Sequence, residues 1–249
     1  MDPIECPIDT RPNPLADPLG VLKIIDQAVY QLWDVANTLT QLRPPRLPNY
    51  SVTIFGSARI KLNTPAYDDV RRLASELAKL GCRIVTGGGP GLMQAANEGA
   101  YQIDPANKAG SIGIRVDLPF EQGANSYVGE AYTHKTFFTR LHHFMLVSNA
   151  FIVMPGGIGT LLETAMVWQL LQVKKLYNTP LILVGPMWTE LVEWAKKNMA
   201  DVPLPLASAV DMTIPRCVPT VDDAIAYIQA DHVCWQGRGL GTTLPAAGT

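Results

Sequence analysis

Hydrophobic runs long enough to cross a bilayer are missing from this sequence. The most apolar helical stretch, 161–173, is interrupted by Glu163, Gln169 and Gln172, whereas a spanning helix needs about 20 predominantly apolar residues. The opening MDPIECPIDTRPNP has neither a basic start nor an apolar centre. No secretory signal is expected, and the expected location is cytoplasmic. Charge of one sign is not in excess: Lys and Arg number 20 against 22 Asp and Glu, a formal charge of −2. That balance argues against an electrostatic nucleic-acid binder. Cysteine is sparse. Cys6, Cys82, Cys217 and Cys234 lie far apart with no CxxC spacing, so reduced structural thiols are expected and a metal site is not. Two familiar nucleotide signatures are absent as well. In G-x-G-x-x-G the third glycine is replaced by Leu92 after Gly87 and Gly89, and by Leu162 after Gly157 and Gly159. Neither glycine loop ends in Gly-Lys-Ser/Thr, so there is no P-loop. Nicotinamide and ATP chemistry both lose ground.

What remains is a chain of 249 residues, 47% hydrophobic, enough for one large core. Its centre is 150–175, AFIVMPGGIGTLLETAMVWQLLQVKK. Ala150–Met154 reads as a buried strand, 155–160 as a tight glycine turn, and Leu161–Lys175 as a helix. Glycines let a backbone approach an anion, and a helix N-terminus offers free N–H groups and a positive dipole end.

The same alternation runs along the chain. Residues 1–17 read as an irregular arm. Residues 19–42 place Leu22, Ile25, Val29, Leu32 and Val35 on one helical face, expected to pack outside the core or on a partner subunit. The prolines of 44–48 make a stiff connector. Strands are expected at Ser51–Phe55, Cys82–Thr86, Ser111–Val116, Ala150–Met154, Pro180–Val184 and Ala209–Thr213. Helices are expected at Tyr67–Leu80 (stopped by Gly81), Leu92–Tyr101, Thr136–Ser148, Leu161–Lys175, Trp188–Met199 and Val221–Gln229. A long loop fills 117–134, and the Gly-rich end reads as a flexible tail. Strands separated by helices imply a three-layer, Rossmann-like doubly wound α/β fold with a mostly parallel sheet and an extra N-terminal helix. The domain limits are 1–48 for the arm and helix, 49–235 for the nucleotide-binding domain and 236–249 for the tail. Turns 56–59, 87–91 and 155–160 each follow a strand, and should converge where strand order reverses.

GGGPGLM at 87–93, LPFEQGANSY at 118–127, FFTR at 137–140 and PGGIGTLLE at 155–163 together resemble the LOG (Lonely Guy) family, Rossmann-like phosphoribohydrolases often mislabelled lysine decarboxylases. The resemblance covers roughly residues 50–200. It implies hydrolysis of the N-glycosidic bond of a nucleoside 5′-monophosphate, of the AMP or cytokinin riboside monophosphate type, to free base and ribose 5-phosphate. It implies no cofactor or metal, and a homodimer or higher homo-oligomer. Carried over by position, Glu163 is the catalytic carboxylate and Arg140 its partner. Gly156, Gly157, Gly159 and Thr160 hold the 5′-phosphate, with Gly88 and Gly89 also at the substrate. Two departures stand out: Leu141 follows Arg140 where the family has lysine, and Leu162 precedes Glu163 where it often has a second acid. Nothing in the sequence marks a lysine for a cofactor Schiff base. The alternative is a non-catalytic nucleotide or molybdenum-cofactor carrier of the same fold.

Each residue also has a plainer reading. Thr160-x-x-Glu163 is a capping box, with Thr as N-cap and Glu at N3. Arg140 could be a charge on the flank of an apolar helix, or a fork of donors for phosphate or carboxylate. His143 shares that flank, as acid or as structural histidine; His142 is assigned nothing. Ser57 and Arg59 read as ligand contacts or turn residues. In the long loop, Glu121 and Asn125 line a site wall, Asn125 against base or ribose, and Tyr127 stacks or packs. Trp168 belongs to the core or a subunit interface.

Overall fold

A computed structural model describes residues 18–40, 49–117 and 123–238. The arm at 1–17, the connector at 44–48, Glu121 and the tail from 239 lie outside the described residues. The chain divides into two units, Met1–Pro45 and Arg46–Thr249. The first contains α1 (Pro18–Thr40), the helix its spacing predicts.

The second unit is a seven-stranded sheet, wholly parallel. Its strands are β1 (Ser51–Phe55), β2 (Arg83–Thr86), β3 (Ser111–Val116), β4 (Glu130–His134), β5 (Ala150–Val153), β6 (Leu181–Val184) and β7 (Pro215–Val218). The helices are α2 (Pro65–Lys79), α3 (Leu92–Ile103), α4 (Phe137–Val147), α5 (Ile158–Gln172), α6 (Pro186–Ala195) and α7 (Val221–Arg238). Strand order is β4-β3-β2-β1-β5-β6-β7, so it reverses at β1, between β2 and β5. Every residue of β1, β5 and β6 is buried, as expected for strands covered on both faces. One core joins the sheet to α2, α3 and α7 through residues such as Leu73, Leu77, Ala96 and Ile228. The other joins it to α4, α5 and α6 through Phe144, Val167 and Trp188.

Local signals explain the boundaries. The Thr64 hydroxyl accepts the Tyr67 N–H as N-cap of α2, and Pro65 takes the first helical position, where its missing N–H is harmless. Gly81 follows the helix with φ +82°, the left-handed stop its sequence position predicts.

Four expectations are corrected. The loop 117–134 ends in strand β4, paired with β3 from Ile112↔Glu130 to Val116↔His134. EAYTH lacks an apolar run because β4 is a largely exposed edge strand. The last strand is Pro215–Val218, whereas the expected strand at 209–213 contains a 3₁₀ turn, Asp211–Thr213. Pro215 opens an edge strand, where a missing donor is tolerated. Helix α5 starts at Ile158 rather than Leu161, because the glycine turn forms its first turn. Helix α7 continues to Arg238, past the expected end at Gln229.

Helix α3 crosses α2 at Gly99, where a β-carbon would overlap the Arg71 carbonyl oxygen. Glycine to alanine in a helix ordinarily stabilises by about 1 kcal/mol. Here Gly99→Ala is expected to destabilise by about 2 kcal/mol, the overpacking range, measured by denaturant unfolding.

Candidate active site

The turns after β1, β2 and β5 are stitched together. Ser57 N–H donates to the Pro155 carbonyl at 3.1 Å, and Leu92 N–H donates to the Ser57 carbonyl at 2.9 Å. Gly91, with φ +69°, sits so close that a β-carbon would overlap the Ser57 carbonyl oxygen. Two helices therefore begin beside one crevice, at the carboxyl ends of the strands on either side of the order reversal. Neither start is closed by a side chain: α3 has Gly91 as N-cap and α5 has Gly157. The first residue of α5 to donate back into the helix is Leu161, to Gly157 at 2.9 Å. The N–H groups of Ile158, Gly159 and Thr160 have no intrahelical acceptor, as at any helix start, and the dipole adds positive potential there. Beside them, Gly156 leaves room for Thr160: a β-carbon on it would overlap that side chain.

One turn further into α5, about 5.4 Å along the axis, lies Glu163. Its carboxylate is buried and accepts from Arg140 Nη1 at 2.9 Å. Arg140 comes from α4. Its Nε donates to the Ile114 carbonyl within β3, 2.9 Å away, and its guanidinium carbon lies 5.1 Å from the centre of the Phe144 ring. The guanidinium is thus fixed in position and in plane. Burial pushes the Glu163 carboxyl up to about 7, against the opposing pull of Arg140. A carboxyl of that kind gains and loses its proton near neutrality, as acid–base chemistry requires.

A family described as possible lysine decarboxylase matches residues 93–228, more than half of the chain. The chain belongs to this family, the LOG family. No curated protein matches the sequence significantly. Solved structures do. The molybdenum cofactor binding protein of the phototrophic bacterium Rippkaea orientalis is 18% identical, with 74% of this chain and 98% of that one aligned at a TM-score of 0.53. The molybdenum cofactor carrier protein of Chlamydomonas reinhardtii is 21% identical, over 74% of this chain and 99% of that one, TM-score 0.52. At this identity the likeness is one of fold.

In this LOG-family chain the sequence-derived residues fall into two groups. Glu163, Arg140, Gly156, Gly157, Gly159, Thr160 and Ser57 come together at the crevice. The capping box is not formed, and that reading is corrected. Thr160 is the third residue of α5 rather than its N-cap, and Glu163 turns to Arg140 instead of back to the helix start.

Gly88, Gly89 and Asn125 belong to a partly buried polar frame beside the crevice. Gly88 has φ +70°, and its N–H donates to Thr86 Oγ1 at 2.9 Å. Asn125 N–H donates to the Gly88 carbonyl. The Asn125 amide donates to the Gly89 carbonyl at 2.9 Å and to Asn97 Oδ1 at 3.0 Å, while its oxygen accepts from Tyr127 N–H. Its side chain thus latches the loop to the glycine turn. Asn97 completes the frame with Thr86 and Ser111. Asn97 and Thr86 were missed by sequence reasoning. The signal was available: a carboxamide beside Ala95 and Ala96 on a buried helix face needs partners.

Ser57 Oγ accepts from Arg59 N–H at 3.1 Å, and Arg59 itself is exposed. His143 pairs with His134, Nδ1 to Nε2 at 2.9 Å, tying α4 to β4. The Tyr127 ring lies 5.9 Å from that of Tyr101. The Trp168 indole donates to the Asp211 carbonyl at 2.8 Å.

The raised Glu163 carboxyl has a signed consequence. Its folded form favours the proton, so its stabilising contribution is complete below pH 4.5 and is lost as pH rises through about 7. Relative to Glu163→Gln, wild type is expected to lose on the order of 3 kcal/mol over that interval, checked by denaturant unfolding across pH.

Proposed function

We propose that the protein hydrolyses the N-glycosidic bond of a nucleoside 5′-monophosphate, of the AMP or cytokinin riboside monophosphate type, releasing the free base and ribose 5-phosphate. The observation that carries this reading is the buried Glu163–Arg140 pair one helical turn from an uncapped glycine N-terminus. That spacing suits a molecule with a phosphate at one end and a reacting carbon a few ångströms away. The 5′-phosphate would sit on the free N–H groups of α5, with Gly156 and Gly157 allowing close approach. The bond to the base breaks with its electron pair leaving on the base, and positive charge develops on the ribose. The Glu163 carboxylate faces that charge, holds a ribose hydroxyl, or takes a proton from the attacking water. Arg140 keeps it oriented.

Lysine decarboxylation draws no support from the lysines. Every described lysine is exposed, so none occupies the apolar pocket that activates an amine for Schiff-base chemistry. A second reading is non-catalytic binding of a nucleotide or of molybdenum cofactor, favoured by the fold shared with the binding and carrier proteins above. The proposed assembly is a homodimer or higher homo-oligomer in the cytoplasm. Ile158 and Leu162 on α5 and Phe137 and Phe138 on α4 are exposed, as suits a subunit interface. Neither nucleic acid nor membrane enters this reading. Among the described residues no helix is long and apolar enough to cross a membrane.

Incubation with AMP, GMP, CMP, UMP and isopentenyl-AMP, followed by chromatography, tests the proposal. Free base is expected from at least one nucleotide, with Glu163→Gln slower by about a hundredfold or more. No release, with nucleotide still raising the melting temperature, would select the carrier reading. In the hydrolase, kcat/KM is expected to rise with pH through about 7 as Glu163 ionises. Initial rates across pH check this, and the ascending limb should vanish in Glu163→Gln.

A further inference from the structure

Arg140 is held by three contacts: the Ile114 carbonyl at Nε, Glu163 at Nη1 and the Phe144 ring. Its remaining nitrogen, Nη2, ends against the turn after β2. A β-carbon built on Gly87 would lie 2.5 Å from Nη2 and 2.7 Å from Met93 Sδ. The methionine end is an unbranched, flexible chain. The guanidinium is not, because a shift disturbs its hydrogen bonds to Ile114 and to Glu163. The backbone itself does not demand glycine here: the positive-φ glycines include Gly88 and Gly91 but not Gly87. Space is what excludes a side chain. Neighbouring Gly89 differs, since a β-carbon there would meet the terminal methyl of Met93 at 2.8 Å and no arginine atom within 4 Å.

We propose that Gly87 is a positioning residue: the space left by its absent side chain seats the Arg140 guanidinium and, through it, sets where the Glu163 carboxylate points. The kinetic part of this inference rests on the hydrolase reading. The steric part does not.

The test is a double-mutant cycle of Gly87→Ala with Arg140→Ala, read by thermal unfolding. Gly87→Ala is expected to lower the melting temperature in the wild-type background and to change it little once Arg140 is truncated. Gly89→Ala should gain no such relief. Additive losses for Gly87→Ala and Arg140→Ala would overturn the proposal. Where Gly87→Ala alone does not fold, a folded double variant supports the seat and an unfolded one refutes it. With AMP or whichever nucleotide is turned over, Gly87→Ala should lower kcat about tenfold or more while KM stays within about twofold, because the α5 N-terminus is untouched. A raised KM with unchanged kcat would refute the positioning role. If wild type turns over no nucleotide, the unfolding cycle still decides whether Gly87 seats Arg140, and the failure then belongs to the hydrolase reading alone.

Discussion

Strand β1 is paired on both edges, to β2 on one side and β5 on the other. Because all the pairings are parallel, each connection must cross over the sheet. Connections from β1 towards β2 and β3 run over one face, through α2 and α3. Those beyond β4 run over the other, through α4, α5 and α6. At the carboxyl ends of β1 and β5 the chain therefore departs in opposite directions, and a crevice is left between the departures. The rest of the site follows from this divergence. The turn after β1 has to pass between the starts of α3 and α5, in contact with both. That crowding is why Gly91 lies against Ser57 and why a β-carbon on Gly56 would come within 3.0 Å of Leu92.

Within the crevice the unusual element is charge taken out of water. Arg140 and Glu163 are both largely buried. A buried ion pair is weak evidence for stability, since desolvation of two charges offsets much of their attraction. Here burial prevails enough to raise the carboxyl. An apolar pair would pack α4 against α5 without that penalty. Under the proposed function, the pair is chemistry retained at some expense to the fold, and perturbed groups of this kind cluster at functional clefts.

Much of the fold was legible because its central strands are short apolar runs, three of them closed by Gly56, Gly87 and Gly185. Ser51–Phe55 and Ala150–Val153 announce themselves. β4 does not, because an edge strand with EAYTH on a solvated flank carries no apolar period. β7 lies at Pro215–Val218 instead of 209–213, and proline at its first position hides it from a propensity reading. The site was legible in part. The glycine turns identify a helix start that favours anions, but no spacing rule brings Arg140 to Glu163, which sit on different helices and meet through the packing of α4 on α5. Only the resemblance paired them. The length of the 117–134 loop pointed Asn125 at a ligand: an asparagine in a loop looks available, and its latch to Gly88, Gly89 and Asn97 exists only in three dimensions.

The beginning of α5 is made of Gly157, Ile158, Gly159 and Thr160, and its outward donors are main-chain amides. A charge carried by a lysine is erased by one base change. The positive end of this helix is a property of the path of the chain, and no exchange of side chains removes it. Only a residue that deletes the N–H itself, or a break in the helix, would silence it. The part of the crevice that attracts anions is therefore its most durable part. Side chains on the walls are free to drift under selection without abolishing that attraction.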